Sequence, residues 1–145
     1  LVGKALTKVG GCDGCQDAGA VSSQAIPAGG SGYVEFTTPD TGGLRVIGLS
    51  VGNSGTFEAD IDFGLKFWPG GGVDVRENGA YVGVETRYQA GDRWRIAVDM
   101  GVVSYYRNGT LFYRSTRAAT GPLLVDTAFY SSGAKLSDIT LSGAQ

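Results

Sequence analysis

Glu58-Ala59-Asp60-Ile61-Asp62-Phe63-Gly64-Leu65-Lys66-Phe67-Trp68 decides the fold class. Side chains of a strand alternate between its faces, so Ile61, Phe63, Leu65 and Phe67 share one side while Glu58, Asp60, Asp62, Lys66 and Trp68 share the other. The first side reads as core; the second is charged and ends in a tryptophan. The runs that follow repeat the alternation. Val73 and Val75 point inward with Asp74 and Arg76 outward, Val82 and Val84 inward with Tyr81, Glu85 and Arg87 outward, and Trp94, Ile96 and Val98 inward with Arg93, Arg95 and Asp99 outward. If these runs share a sheet, its outer face carries mixed charge together with Trp68 and Tyr81.

Outward from this stretch, short apolar runs alternate with turn signals to both ends, and no window of a dozen residues shows the 3.6-residue period of a helix. Strands are expected near 3–9, 19–25, 32–37, 44–51, 61–68, 73–77, 81–88, 93–99, 102–107, 110–115, 123–129 and 135–142. Asn78-Gly79 and Asn108-Gly109 fall between β-rich runs, where a type I′ hairpin turn needs positive φ at both central residues. About a dozen closely spaced strands imply an all-β sandwich or barrel, and the absence of a linker or repeat implies one domain over 1–145. Tyr105 and Tyr106 must divide between faces, but the hairpin 102–115 is aromatic on both and takes no orientation from the pattern.

Composition narrows the function classes. The 145 residues are 42% hydrophobic, enough for one sizeable core. A formal net charge of −2, a pI near 5.0 and no concentrated block of Lys or Arg argue against nucleic acid as a partner. No stretch approaches 18 consecutive apolar residues, so no membrane insertion is expected. The chain opens Leu1-Val2-Gly3 without a charged-then-apolar leader, which fits a processed or excised mature domain. With 25 Gly, 7 Tyr and 6 Phe the composition resembles an exported β protein, and secretion to the extracellular space or cell surface is expected. Cys12 and Cys15 lack the two further soft ligands a zinc site needs, the chain has no His, and no helical pattern follows as in a redox motif. The pair reads as a small disulfide closing a loop. The missing His also removes nucleophilic catalysis by a Ser–His or Cys–His pair.

Gly91-Asp92-Arg93-Trp94-Arg95-Ile96-Ala97-Val98-Asp99, followed by Gly101-Val102-Val103-Ser104-Tyr105-Tyr106-Arg107-Asn108-Gly109, resembles the signature of SPRY-like domains in the concanavalin A-like lectin/glucanase superfamily. Gly32-Tyr33-Val34-Glu35-Phe36, Ile47-Gly48-Leu49-Ser50 and Pro122-Leu123-Leu124-Val125-Asp126 fall in a similar order over roughly 30–130. The whole chain is similar to bacterial SPRY-like modules appended to extracellular enzymes and surface proteins. The resemblance implies a two-sheet antiparallel jelly-roll sandwich whose members mostly recognise ligands, glycans in the lectin branches and peptides in the SPRY branch. It says nothing of the loop with Cys12 and Cys15, which lies outside the general pattern.

Three readings of the outer face follow. Glu58, Asp60 and Asp62 resemble the Glu-x-Asp-x-Glu motif of laminarinase-type glucanases, but the third position is one methylene short at the acid/base. The acids nearest the loop, Glu58 and Asp60, are also candidate calcium ligands, with Asn53 or a loop carbonyl completing the shell. A glycan-binding surface needs an aromatic platform beside groups that hydrogen-bond hydroxyls, and Trp68 beside Asp62, Lys66, Asp74, Arg76, Glu85 and Arg87 supplies both. Trp94 reads as core, and Asn108-Gly109-Thr110, although a glycosylation sequon, reads as a tight turn. The expectation is a non-catalytic recognition module for a glycan or a cell-surface protein, with no required cofactor, calcium aside. The alternative is a structural or adhesion module that self-associates through strand edges in a filament or surface layer. A glycoside hydrolase comes third.

Overall fold

The computed structural model describes residues 4–7, 21–51, 61–131 and 133–143. Among these, twelve strands form two six-stranded antiparallel sheets. The first has the order β1 (Lys4–Thr7), β12 (Lys135–Ser142), β3 (Ser31–Thr38), β8 (Asp92–Asp99), β9 (Val102–Arg107) and β10 (Thr110–Ala118). The second has the order β2 (Val21–Ile26), β11 (Leu123–Phe129), β4 (Arg45–Ser50), β5 (Phe63–Phe67), β6 (Gly72–Glu77) and β7 (Ala80–Arg87). The sheets do not close into a barrel; they face each other as an antiparallel jelly-roll sandwich. Each expected strand is found within a few residues of its expected bounds.

The inward residues of both sheets meet in one core. Phe67 is its hinge point: its ring lies edge-on to Tyr88, Trp94 and Phe36, at centroid distances of 5.1, 5.3 and 5.8 Å. Phe63, Leu65, Val73 and Val75 face Val34, Ile96, Val98 and Tyr105 in the same cluster, and Val82 and Val84 pack against its margin. The two Asn-Gly hairpins have the geometry their sequence demands, with φ of 54° and 80° at Asn78-Gly79 and 48° and 84° at Asn108-Gly109.

Four expectations are corrected. Ile61 does not face the main core. It precedes β5, so strand alternation does not reach it, and its side chain lies on the outer face over Gly48 and Gly64, in a second apolar cluster with Val46, Ala128 and Tyr130. Gly48 is required there, because a Cβ would sit 2.0 Å from the carbonyl oxygen of Phe63. The charged runs do not share one sheet: β5, β6 and β7 are adjacent, whereas β8 lies in the opposite sheet. Arg93, Arg95 and Asp99 therefore stand on the other outer face of the sandwich. Lys66 and Asp74 do point outward, yet they are only 6% and 7% exposed. Finally, Asp62 stands apart from the other outward charges, as described below. The hairpin β9–β10 escapes alternation because a register shift between Leu111 and Tyr113 lets both Phe112 and Tyr113 turn toward the core, with Tyr105 buried and Tyr106 outward.

Candidate functional site

The outer face of the second sheet is organised in rows set by strand register. One row runs Ala128, Val46, Lys66, Asp74, Glu85 across β11, β4, β5, β6 and β7. The next runs Asp126, Gly48, Gly64, Arg76, Tyr81. Apart from the buried Asp126, which accepts from the Ser50 hydroxyl (3.1 Å), this face is apolar over β11 and β4 and charged over β5, β6 and β7.

Trp68 stands at the C-terminal end of β5, where its backbone is fixed by the turn: its N–H donates to Gly72 O (2.8 Å) and its carbonyl accepts from the Tyr88 hydroxyl (2.8 Å). Its indole Nε1 donates to Asp74 Oδ2 at 2.8 Å. Asp74 in turn accepts from Arg76, whose Nε is 2.7 Å from Oδ1 and whose Nη2 is 3.3 Å from Oδ2. The Lys66 ammonium sits 4.6 Å from the Trp68 ring centroid and 5.1 Å from that of Tyr130. The Arg76 guanidinium lies 5.5 Å from the Tyr81 ring. Cations held over aromatic faces in partly desolvated surroundings contribute about 1–2 kcal/mol each. The tryptophan is therefore immobilised by a buried carboxylate and two cations, yet 37% of its surface stays open.

Beside it lies a groove of about 630 Å³, lined by Trp68, Asp74, Glu85, Thr86 and Arg87. Its volume is that of a small-ligand cleft. Arg87 crosses the groove end to donate to Gly70 O (2.9 Å), so its fork is half used. Desolvation, then the charges of Glu85 and Asp74 with a Glu85 hydrogen bond, hold the Tyr81 phenol above its ordinary pKa, and it remains a hydrogen-bond donor.

Six of the seven expected residues are thus brought together: Lys66, Trp68, Asp74, Arg76, Glu85 and Arg87. Asp62 is not with them. It precedes β5 at the opposite end from Trp68, about 20 Å away at the rise of a strand. Its carboxylate is committed to local structure: Oδ2 accepts the Val51 N–H, and Oδ1 accepts from the Asn78 amide at 2.6 Å. Glu58, Asp60, Asn53, Cys12 and Cys15 lie outside the described residues. No group of three His, Cys, Asp or Glu residues able to hold a metal occurs among the described residues.

Two polar features inside the sandwich are legible in the sequence only by extending the alternation one step. Arg45 shares the inward side with Ile47 and Leu49, and Glu77 with Val73 and Val75; both are buried. Arg45 donates to Gly43 O and Asp40 O and stacks on Phe67 and Tyr88. Glu77 accepts from the Tyr105 hydroxyl at 3.1 Å. Burial first, then the adjacent Glu77 charge, drive the Tyr105 phenol well above its usual range.

No protein-family model matches the sequence, and no curated protein is significantly similar to it. Solved structures are similar in fold. A protein of unknown function with a galectin-like fold from Bacillus subtilis has a TM-score of 0.60 at 13% identity, over 99% of this chain and 87% of that one. The carbohydrate recognition domain of Emp47p gives 0.56 at 11% identity over 97% and 86%, and the SPRY domain of human HERC1 gives 0.52 at 17% identity over 83% and 80%. Enzymes share the likeness: an alginate lyase from Corynebacterium sp. gives 0.51 at 14% identity over 85% of this chain, which spans only 62% of the lyase. At these identities the likeness is one of fold alone, shared with lectin-like proteins and with enzymes.

Proposed function

We propose that the protein is a non-catalytic, extracellular glycan-binding module in which a sugar ring stacks on Trp68 along the groove between β5 and β7. The observation that carries this reading is a tryptophan held by Asp74 at its indole nitrogen and by Lys66 over its ring, with 37% of its surface still exposed beside the groove. A sugar offers an apolar ring face to the indole and equatorial hydroxyls to Glu85 and Arg87, the least committed charges of the groove. Holding the indole rigid before the ligand arrives removes an ordering cost from binding. Lectin-like neighbours in fold support the reading.

A glycan array on the purified protein, repeated with Trp68→Ala, tests it. The expected result is binding to a defined glycan set, weakened at least tenfold in the variant, since ring stacking and burial at such a site contribute about 1.4 kcal/mol or more. Binding unaltered by the substitution, in protein whose circular dichroism is unchanged, removes the site. Glycan affinity is expected to survive a chelator; loss restored by calcium would place a metal in the site. Release of reducing sugar or unsaturated product from the array-positive glycan would overturn the non-catalytic part.

A further inference from the structure

The opposite outer face, on the first sheet, presents a second built surface that the Trp68 groove does not use. Its outward rows are Thr140, Glu35, Arg95, Tyr106, Leu111 and, beside it, Ser142, Tyr33, Ala97, Ser104, Arg114. In the first row two guanidiniums share one carboxylate: Arg95 Nε and Nη2 lie 2.9 and 2.6 Å from Glu35 Oε2, and Arg93 Nη2 lies 2.8 Å from Oε1. The Arg95 guanidinium is also stacked on the Tyr33 ring at 3.8 Å, which fixes its plane. Arg93 is 58% exposed at its side chain and Arg95 40%, so both keep guanidinium surface open to solvent.

These groups line a groove of about 550 Å³ with Ala97, Tyr106 and Asn108. A second hollow of about 260 Å³, bounded by Asp99, Ser104 and Arg114, shares Ala97 and Tyr106 with the first. The small side chains of Ala97 and Ser104 form a low floor between Tyr106 and the charged rims. Asn108 is spoken for, its amide nitrogen donating to Asp92 and its oxygen accepting from Arg93 N, and Asp99 accepts from the Ser31 hydroxyl. Two arginines against one glutamate leave the first groove with a surplus positive charge.

We propose that this trough is a second binding site, for a carboxylated polysaccharide such as a polyuronate. A sugar carboxylate would take the open guanidinium edges of Arg93 and Arg95, and its ring would lie on Tyr106. A planar guanidinium suits a planar carboxylate in paired hydrogen bonds, and that of Arg95 is already fixed by stacking on Tyr33. A peptide fits less well. β8 and β9 are each paired on both sides, so the floor offers no free strand edge to which an extended peptide could add.

The test is affinity electrophoresis and calorimetry with polygalacturonate, fully methyl-esterified pectin, dextran sulfate and poly-glutamate. Polygalacturonate binds at least tenfold more tightly than the esterified polymer, in the wild type and in Trp68→Ala alike. Arg93→Gln, at an exposed position, and the double variant with Arg95→Gln lose that preference, whereas Glu35→Gln, which frees both arginines, tightens polygalacturonate binding severalfold. A merely structural ion network would show the reverse for Glu35→Gln. Equal retention by dextran sulfate or poly-glutamate would overturn the carboxylated-sugar assignment in favour of general anion attraction or a peptide ligand. No binding to polygalacturonate, or binding indifferent to Arg93→Gln in folded protein, would overturn the site itself.

Discussion

Asp92 shows how a residue read from sequence as turn chemistry becomes the staple of a hairpin. Its Oδ2 accepts the Gln89 N–H (2.9 Å) and both Nε and Nη2 of Arg107 (3.1 and 2.8 Å), while Oδ1 accepts from the Asn108 amide (3.2 Å). Asn108 closes the circuit by accepting from Arg93 N at 2.8 Å. Gly91-Asp92 and Asn108-Gly109 are thus two ends of one network. Burial opposes ionisation of Asp92, but the hydrogen bonds from Gln89, Asn108 and Arg107, with the Arg107 charge, outweigh it and hold the carboxyl below its ordinary value. A depressed folded pKa stabilises the protein fully above the unfolded value of 3.8, and that contribution disappears as the pH falls through the folded pKa. Glu35, lowered by Arg95 and Arg93 against its own desolvation, acts with the same sign. Asp92→Asn is expected to cost about 2–3 kcal/mol at neutral pH, the scale of charge-assisted hydrogen bonds, and to flatten the loss of stability as the pH falls below the unfolded value of 3.8. Denaturant titrations of both proteins across that range would show it; parallel acid limbs would mean Asp92 is not the titrating staple.

At the scale of elements, β10 is an edge strand, paired with β9, whose C-terminal half is tied to the opposite sheet through Arg117. Arg117 reaches from it across the mouth of the sandwich to the other sheet, where Nη1 donates to Asp62 O (3.2 Å), Nη2 to the Asn78 side-chain oxygen (3.0 Å), and the guanidinium lies over Phe63 at 5.2 Å. It is also 4.0 Å from the buried carboxylate of Glu77. Arg117→Met keeps the packing and removes the charge. Because the arginine is 42% exposed, the expected cost is discounted to about 0.5–1 kcal/mol. Faster amide exchange should appear in the C-terminal half of β10 and in the β6–β7 turn, with β8 and β9 unchanged; a uniform rise would point to global destabilisation instead. This element also marks where sequence reading ends. Alternation places Phe63, Leu65, Phe67, Val73, Val75 and Trp94 correctly, because each sits in a regular two-sided strand. It misplaces Ile61, which precedes its strand, and cannot orient Phe112 and Tyr113, which flank a bulge. It groups Trp68 with Lys66, Asp74 and Glu85, since these follow from neighbouring hairpins, but not with Tyr130, whose approach to Lys66 depends on β11 arriving from far along the chain. Nor does it separate β8 from β5, because alternation records which way a side chain points and not which sheet its strand joins.

For the whole molecule, the consequence of that separation is two charged outer faces with the apolar core between them, and the exposed edges decide what such a sandwich does with them. β7 shifts register against β6 between Tyr81 and Glu85 and carries Gly83 at φ +84°, where nothing lies within 4 Å of the missing Cβ. β10 shifts register twice and ends in Arg114 and Arg117. Irregular, charged edges of this kind resist addition of a further strand, so growth of a filament through the β7–β10 side is disfavoured. The faces remain the surfaces for contact, and because they lie on opposite sheets, ligands on Trp68 and on Arg93 and Arg95 do not compete for space. If both proposed sites bind, one monomer can bridge two polysaccharides. Beads coated with the array-positive glycan and loaded with wild-type protein should capture soluble fluorescent polygalacturonate. Trp68→Ala should fail to load, and Arg93→Gln with Arg95→Gln should load without capturing. If soluble polygalacturonate instead strips the wild type from the beads, the two ligands share one face and the bridge does not exist. If capture rises with the square of bead loading, bridging runs through protein dimers, and the guarded edges do not keep the module monomeric.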